Sequence, residues 1–320
     1  MEIVKIALDV MGSDQGPAVM IEGARLALDK YEDLSLLLVG NEEEIRSACG
    51  KAEIPMERVE ILPATQVITN YDSPATALFE KRDSSLVRAL EATGSREDVM
   101  GVVNAGSTGA LIAGALRYLS GAERVRPALA VKFPAENGGD VCLVDAGATI
   151  DCGAATLLHF ARLGTKFMRE LYGIQSPRVG LLSNGAEPTK GNKLVKETHA
   201  LLSEAEDLNF IGNVEGNNAL SGVCDVLVCD GFAGNQVLKV TEGTMRRVLT
   251  DIALLAKKTG KQEYLPLIGE LMAHYGMDDL GGGIILGTKK PVVKAHGAAD
   301  KTAILNTIGI VYRLAKNKRA

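Results

Sequence analysis

The sequence has 320 residues, 46% of them hydrophobic, so it contains enough apolar material for a folded core and is not predominantly disordered. Its 35 Lys and Arg residues against 40 Asp and Glu residues give a formal net charge of -5, which argues against a nucleic-acid-binding surface. The five cysteines have neither zinc-site spacing nor the density of a disulfide scaffold. Residues 1–14 lack the features of a signal peptide, and no apolar run approaches about 18 residues. We therefore expect a cytoplasmic protein.

Strand-like and helical patterns alternate along the chain. The strand-like runs lie at 4–10, 34–39, 59–62, 99–103, 128–133, 141–145, 179–183, 209–211, 226–229, 284–286 and 292–295. Helical patterns begin at Pro17 and recur at 108–119, 155–171, 190–206, 236–258, 262–275 and 300–315. Many strand runs are continuously apolar, as in strands buried on both faces. This alternation predicts a mostly parallel α/β sheet, which we interpret as one unit over 1–320.

Segment 236–275 differs from the rest because two helical patterns follow each other without a strand. Its first helix carries an apolar stripe that predicts a homodimer, formed by Leu238, Met245, Leu249, Ile252 and Leu255. Its second helix has Tyr264, Leu267 and Ile268 beside lysines of the turn, a composition that suits reversible contact with an anionic membrane surface. The alternative for the first helix is packing of its stripe on its own domain, and the alternative for the second is a dimer core with a solvated turn.

Small and polar residues follow the predicted strands, where ligands of open α/β sheets bind. These candidate site residues are Asp9, Gly12 and Asp14; Ser107, Thr108 and Gly109; Asn184, Lys190 and Asn192; Asp230, Gly231, Gly234 and Asn235; and His296. Helix N-termini at Thr108 and Asn192, with the charge of Lys190, favour an oxyanion such as phosphate. Taken singly, each loop is also explained by turn and N-cap chemistry.

Several familiar motifs do not occur in the sequence. It has no GxGxxG after the first strand, no GxxxxGK[ST] phosphate loop, no GxSxG nucleophile elbow and no HExxH metal motif. We therefore expect neither a cofactor nor a metal ion.

The loops together resemble one family, the bacterial phosphate acyltransferases of phospholipid synthesis. The matching stretches include IALDVMGSDQGP, KRDSSL, NAGSTGAL, RPALAVKFP, LVDAGATIDC, LLSNGAEPTKGNKLVKE, NFIGNVEGN, DVLVCDGFAGNQVLK and VVKAHGAAD, in family order over nearly the whole chain. The resemblance implies an isocitrate/isopropylmalate-dehydrogenase-like fold, a three-layer α/β sandwich that phosphotransacetylases share. It also implies that hairpin 236–275 protrudes and serves dimerisation and membrane contact.

The reaction implied by this resemblance is transfer of a fatty acyl group from acyl-acyl carrier protein to inorganic phosphate. The acyl phosphate would supply phospholipid synthesis through a downstream glycerol-3-phosphate acyltransferase. Lys190, Asn235 and His296 are the implied catalytic residues, and the other strand-end residues named above would bind substrate. The alternatives are a phosphotransacetylase using short acyl-CoA, a non-catalytic scaffold for lipid-synthesis enzymes, and a metal-dependent hydroxyacid dehydrogenase. The last would need clustered metal carboxylates, which the sequence lacks.

One departure concerns the first loop, where the family usually reads GGD and then AP. Here Gly12-Ser13-Asp14 and Gly16-Pro17 stand instead. If the second family glycine needs a positive φ, Ser13 would be strained unless Gly16 supplies the flexibility of the turn.

Overall fold

The computed structural model describes residues 3–121, 126–275 and 282–317, without the side chains of 272–275. The chain forms two compact units, Met1–Pro127 with Gly281–Ala320, and Ala128–Leu280, a division that the sequence analysis does not make. Within each unit, the described β-strands pair mostly in parallel.

The first unit has the strand order β3-β2-β1-β4-β11-β10. Its strands are β1 Val4–Asp9, β2 Leu34–Gly40, β3 Val59–Pro63, β4 Val99–Asn104, β10 Gly283–Leu286 and β11 Val292–Lys294. Its helices are α1 Pro17–Lys30, α2 Glu42–Ala52, α3 Pro74–Glu80, α4 Ser85–Ser95, α5 Thr108–Tyr118 and α10 Lys301–Asn317. Only β10 and β11 pair antiparallel among the strand pairs described for this unit.

The second unit has the strand order β5-β6-β9-β7-β8. Its strands are β5 Ala128–Pro134, β6 Asp140–Val144, β7 Arg178–Ser183, β8 Asn209–Glu215 and β9 Val226–Val228. Its helices are α6 Ala154–Tyr172, α7 Lys193–Ser203, α8 Gly231–Lys258 and α9 Leu265–Tyr275. The β5–β6 pair is antiparallel, and the other described pairs are parallel.

The cores explain why the strands have continuous apolar runs. In β2, Leu36, Leu37, Leu38 and Val39 are all fully buried, so both faces of the strand are covered. Helices α4 and α10 both pack on β1 and β4, and α6 packs on β6 and β9. The predicted mostly parallel α/β architecture is thus confirmed within each unit.

Two helix starts differ from the sequence prediction. Helix α8 begins at Gly231 and not at 236, because the Asp230 side chain accepts the Ala233 N–H and caps the helix there. Helix α7 begins at Lys193 and not at 190, because Asn192 is its cap. Lys190 therefore lies in the loop that precedes α7.

Candidate active site

The carboxyl ends of β1 and β4 are joined by a buried polar pair. Asn104 Nδ2 donates a 2.7 Å hydrogen bond to Asp9 Oδ2, and the other Asp9 oxygen accepts the Met11 N–H at 3.1 Å. Burial raises the pKa of Asp9, while hydrogen bonds from Ser85, Met11 and Asn104 act in the opposite direction. Asp9 is 1% exposed, so its carboxylate fixes the two loops and does not face solvent.

Gly12 is required where those two loops meet. A Cβ at Gly12 would lie 2.7 Å from the Gly106 backbone nitrogen and 2.9 Å from its Cα, closer than side-chain atoms approach. Asn104 Oδ1 accepts the Gly106 N–H at 2.9 Å and holds the second loop in place. The position of Gly12 is therefore explained by a backbone contact.

The N-terminus of α5 follows directly from this contact. Ser107 is the N-cap, and its hydroxyl accepts the Ala110 N–H at 3.4 Å. Thr108 and Gly109 form the first turn, and a Cβ at Gly109 would come within 2.8 Å of Pro74 Cγ. The structure thus places a capped helix N-terminus, the kind of element that binds anions, beside the Asp9–Asn104 pair.

Asp14 and His296 belong to two segments that are bonded to each other. The Asp14 N–H donates to the Gly297 carbonyl at 2.9 Å, and the Gln15 side chain donates to the Ala298 carbonyl at 2.7 Å. His296 and Asp14 are both exposed. Lys294 is buried in the same row of strand ends, since it pairs in register with Asn104 of β4. Sequence reasoning did not select Lys294 or Asn104 as site residues, although each ends an apolar strand.

Ser13 is not strained. Among the described non-glycine residues only Glu53 has a positive φ, and the turn after β1 takes its positive φ of 80° at Gly16. The Ser13 hydroxyl accepts the Gln15 N–H at 3.1 Å and donates to the Gly297 carbonyl at 3.3 Å. The serine is therefore accommodated by a turn that Gly16 makes possible.

In the second unit, Asp145 organises the loop after β6. Its carboxylate is fully buried and accepts N–H groups of Leu129, Gly147, Ala148 and Thr149 at 2.6–3.1 Å. Burial raises the pKa of Asp145, and these backbone hydrogen bonds oppose the rise. The sequence analysis did not name Asp145 as a site residue; the signal was an Asp at a strand end followed by small residues.

Two predicted glycines allow α8 to pack on that loop. A Cβ at Gly234 would lie 1.9 Å from the Asp145 carbonyl oxygen, and one at Gly231 would lie 2.7 Å from the Thr149 carbonyl oxygen. Asn235 lies one residue further along α8, where its Nδ2 donates to the Ala146 carbonyl at 3.3 Å. These residues lie together at the start of α8, with Asp230 as the helix cap.

Asn184, Lys190 and Asn192 share the loop between β7 and α7. Asn184 Oδ1 accepts the Gly191 N–H at 2.8 Å, and Asn192 Oδ1 accepts the Val195 N–H at 2.9 Å. The Lys190 side chain is exposed, and its stem passes Gly185, where a Cβ would lie 2.6 Å from Lys190 Cγ. The loop therefore holds a cation at the carboxyl end of β7.

A cavity of about 670 Å³ adjoins this loop within the second unit. It extends from Leu157 of α6 and Leu181 of β7 to Asn192 at the start of α7 and Val237 of α8. Asp230 is the one charged residue among the described residues that line it. A volume of this size is typical of small-molecule sites, which span roughly 300–1,000 Å³.

The candidate residues thus form two groups, one in each unit. Asp9, Gly12, Asp14, the start of α5 and His296 form the first; the loops before α7 and α8 form the second. Within residues 3–121, 126–275 and 282–317, no group of three His, Cys, Asp or Glu side chains is arranged to hold a metal ion. In the same ranges, every helix is too short or too polar to cross a membrane.

Comparison with known proteins gives a match over almost the whole chain. The family model described as "Fatty acid synthesis protein" matches residues 4–320. The phosphate acyltransferase of Halothermothrix orenii is 39% identical over 315 residues, which is 96% of this chain and 93% of that protein. The phosphate acyltransferase of Ligilactobacillus salivarius is 38% identical over 322 residues, 98% of this chain and 95% of that protein.

Among solved structures, a phosphotransacetylase from Streptococcus pyogenes is similar with a TM-score of 0.66 at 17% identity, over 99% of this chain and 95% of that chain. A phosphotransacetylase from Staphylococcus aureus is similar with a TM-score of 0.60, also at 17% identity, over 98% and 94% of the two chains. At this level of identity the likeness establishes a shared fold.

Proposed function

We propose that this chain, which belongs to the family of fatty acid synthesis proteins that includes the phosphate acyltransferases, transfers a fatty acyl group from acyl-acyl carrier protein to inorganic phosphate. The proposal is carried by 38–39% identity to phosphate acyltransferases over at least 95% of the chain. The product would be an acyl phosphate for phospholipid synthesis. Because this mixed anhydride is a reactive acyl donor, a glycerol-3-phosphate acyltransferase is the proposed consumer.

The chemistry needs no nucleophilic side chain. A phosphate oxygen attacks the thioester carbonyl carbon, and the carbonyl oxygen becomes an oxyanion. The tetrahedral intermediate then collapses, breaking the carbon–sulfur bond and releasing the carrier's thiolate. The protein has to orient phosphate and acyl group, which can contribute roughly 7–11 kcal/mol, and to stabilise the oxyanion, where one donor contributes about 3 kcal/mol.

Phosphate is proposed to bind at the N-terminus of α5. The Ser107 cap, the first-turn residues Thr108 and Gly109, and the Gly12–Gly106 contact support this assignment, because they hold backbone N–H groups in a fixed arrangement. Asp9 would position these loops through Asn104 and Met11. His296 and Asp14, exposed on the bonded segments beside them, are the proposed lining residues.

Lys190 is the proposed cation for phosphate or for the oxyanion. Support comes from its place in the loop after β7. The backbone that follows Lys190 is fixed there by hydrogen bonds from the Gly191 N–H to Asn184 and from the Val195 N–H to Asn192. Asn235 is the proposed amide group of the second unit. Since its Nδ2 is bonded to the Ala146 carbonyl, its contribution would be to hold the 145–149 loop as well as to face substrate.

The rival donors can be separated by one assay. The enzyme is incubated with phosphate and either acyl-acyl carrier protein or short acyl-CoA, and acyl phosphate is trapped with hydroxylamine. We expect phosphate-dependent hydroxamate from the carrier-protein donor. Hydroxamate from short acyl-CoA alone would favour a phosphotransacetylase, and none from either donor would favour a non-catalytic scaffold.

A homodimer through α8 is part of the proposal. Of the predicted stripe, Leu238 and Leu249 are buried within the chain, whereas Ile252 and Leu255 are 43% and 60% exposed. The exposed part is the surface that a second copy would cover. Sedimentation at micromolar concentration should give a dimer, and a monomer would refute it.

Reversible membrane contact is proposed for the end of the α8–α9 hairpin, in an otherwise cytoplasmic protein. Ile268 is buried against Leu249 and Ala256, so this residue packs within its own chain. Tyr264 and Leu267 remain 49% and 52% exposed, near the exposed lysines 257, 258 and 261. Flotation with anionic liposomes at low salt should recover the protein with lipid; its absence from the lipid fraction would contradict the contact.

A further inference from the structure

The cavity of the second unit has walls suited to an alkyl chain. Its inner end is formed by Leu157, which is 1% exposed, and Leu181, which is fully buried. Val195 of α7 and Val237 of α8 line its sides. Aliphatic side chains from three helices and one strand therefore line about 670 Å³ of space.

Side-chain oxygens of three polar residues at this cavity are occupied by the fold. Asn184, Asn192 and Asp230 each accept a backbone N–H, from Gly191, Val195 and Ala233 respectively. Asp230, the one charged residue among the described lining residues, is an anion and disfavours phosphate in this space. These contacts leave the cavity better suited to an uncharged ligand.

Ser183 differs from these three residues, because its oxygen is not engaged by the fold. Its hydroxyl oxygen is buried at the end of β7 and has no hydrogen-bond partner among the described residues. A buried hydroxyl without a partner is costly, and a carbonyl oxygen in the cavity would accept its hydrogen. The cavity thus combines aliphatic walls with the Ser183 hydroxyl and the side-chain amides of Asn184 and Asn192.

We infer that this cavity binds the acyl group of the donor, with the alkyl chain between Leu157, Val195 and Val237 and the acyl carbonyl oxygen at the Ser183 hydroxyl. The inference rests on the proposed function, because it names the part of the substrate that this site would take. It makes Val237 a determinant of acyl chain length. Each methylene that is excluded from an apolar site should weaken binding about fourfold.

The test compares two matched substitutions on α8, Val237→Phe inside the cavity and Val240→Phe outside it, where Val240 is 63% exposed. For each protein, kcat/KM is measured with carrier-bound acyl chains of increasing length. In parallel, binding of free fatty acids of the same lengths is measured by calorimetry. We expect Val237→Phe to lose activity and affinity about fourfold per excluded methylene for long chains, with short chains unaffected. Val240→Phe should match the wild type.

Two further variants complete the design. Val237→Ala enlarges the cavity and should increase the preferred chain length. The inference is thus tested by a smaller as well as by a larger side chain at this position. Ser183→Ala should raise KM by roughly threefold to tenfold at every chain length, because it removes one hydrogen-bond donor.

The outcomes separate this inference from the proposed function. Acyl phosphate formation with an unchanged chain-length profile in both Val237 variants would overturn the inference and leave the function standing. An equal loss of kcat/KM at all chain lengths in Val237→Phe would indicate that the cavity binds the arm of the carrier protein and not the acyl chain. That result would also overturn the inference. Length-dependent fatty-acid binding without acyl phosphate formation would support acyl binding in the cavity and refute the proposed acyl transfer to phosphate.

Discussion

Asn104 donates its amide hydrogen to the Asp9 carboxylate at 2.7 Å, at the last positions of two adjacent parallel strands. Both residues are 1% exposed, so the bond is shielded from water. It ties the loop that contains Gly12 to the loop that leads into α5. The geometry proposed for phosphate binding depends on this bond.

Asp9→Asn should destabilise the protein by about 1–3 kcal/mol, because one of the buried donors from Met11 or Asn104 would face an amide hydrogen and lose its acceptor. Asp29→Asn is the control, since Asp29 is 53% exposed and pairs with Arg25 on the surface of α1. It should change stability by less than about 0.5 kcal/mol. Urea unfolding of the two variants measures both values, and equal stabilities would contradict the role of Asp9.

Lys190→Ala should lower turnover by about 30- to 1,000-fold, because a cation at the reacting groups contributes roughly 2–4 kcal/mol in the transition state. Lys193→Ala, three residues on at an 89% exposed position, should behave like the wild type. Phosphate-dependent kinetics and melting curves of both variants provide the measurement. Wild-type kinetics in Lys190→Ala would show that the lysine is not part of the site. A loss of stability as large as the loss of transition-state stabilisation would show that its role is structural.

Gly234→Ala should destabilise the protein by about 3 kcal/mol or more, since the new Cβ would lie 1.9 Å from the Asp145 carbonyl oxygen. Gly243 lies on the same helix, and a Cβ there meets no atom within 4 Å. Gly243→Ala should therefore stabilise by roughly 0.5–1 kcal/mol through the higher helix propensity of alanine. Thermal unfolding distinguishes the two, and a tolerated Gly234→Ala would contradict the close packing of α8.

Acid should weaken an ion-pair network near the amino ends of β1 and β3 in the first unit. Hydrogen bonds from Arg96, and then from Lys5, lower the pKa of Glu60 to about 2 from an ordinary value of 4.5. The folded state favours the ionised form, so the stabilisation is present above about pH 4.5 and is lost as the pH falls toward 2. Because the Glu60 side chain is 42% exposed, water screens the interaction and its contribution should not exceed about 1 kcal/mol.

Glu60→Gln should therefore lose less stability than the wild type between pH 5 and 2. Glu57→Gln, at a neighbouring exposed position, should follow the wild-type curve. Denaturant unfolding across this pH range is the measurement. Parallel curves for the wild type and Glu60→Gln would show that the network does not contribute.

Much of the sheet could be predicted from the sequence, because buried parallel strands have continuous apolar runs. The predicted strand at 4–10 is β1 Val4–Asp9, and the predicted helix at 108–119 is α5 Thr108–Tyr118. Helices α2, α3 and α4 were not predicted, and α3 has only 7 residues, too few for a clear periodic pattern. Gly231 and Gly234 were predicted to lie in a loop, but both lie in α8. They are glycines there because a Cβ would collide with the segment from Asp145 to Thr149.

The loops of the candidate site were predicted, but the hydrogen bonds within and between them were not. Asp230 and Asn192 are helix caps, a role that the sequence allowed as an alternative to ligand binding. The hydrogen bonds of Asn104 and Asp145 depend on residues distant in sequence or on loop backbone geometry, which a single sequence does not specify. The aliphatic cavity beside α7 is likewise formed by residues from 157 to 237, so no local motif indicates it.

Acyl transfer to phosphate is tested most directly by supplying the wild-type protein with acyl-acyl carrier protein and phosphate labelled with oxygen-18 at every position. The mass of the acyl phosphate is then measured by mass spectrometry. Because a phosphate oxygen forms the new bond to the acyl carbon, the product should retain the label in all of its phosphate oxygens. Free fatty acid as the sole product, formed at a rate independent of phosphate, would contradict the proposed function.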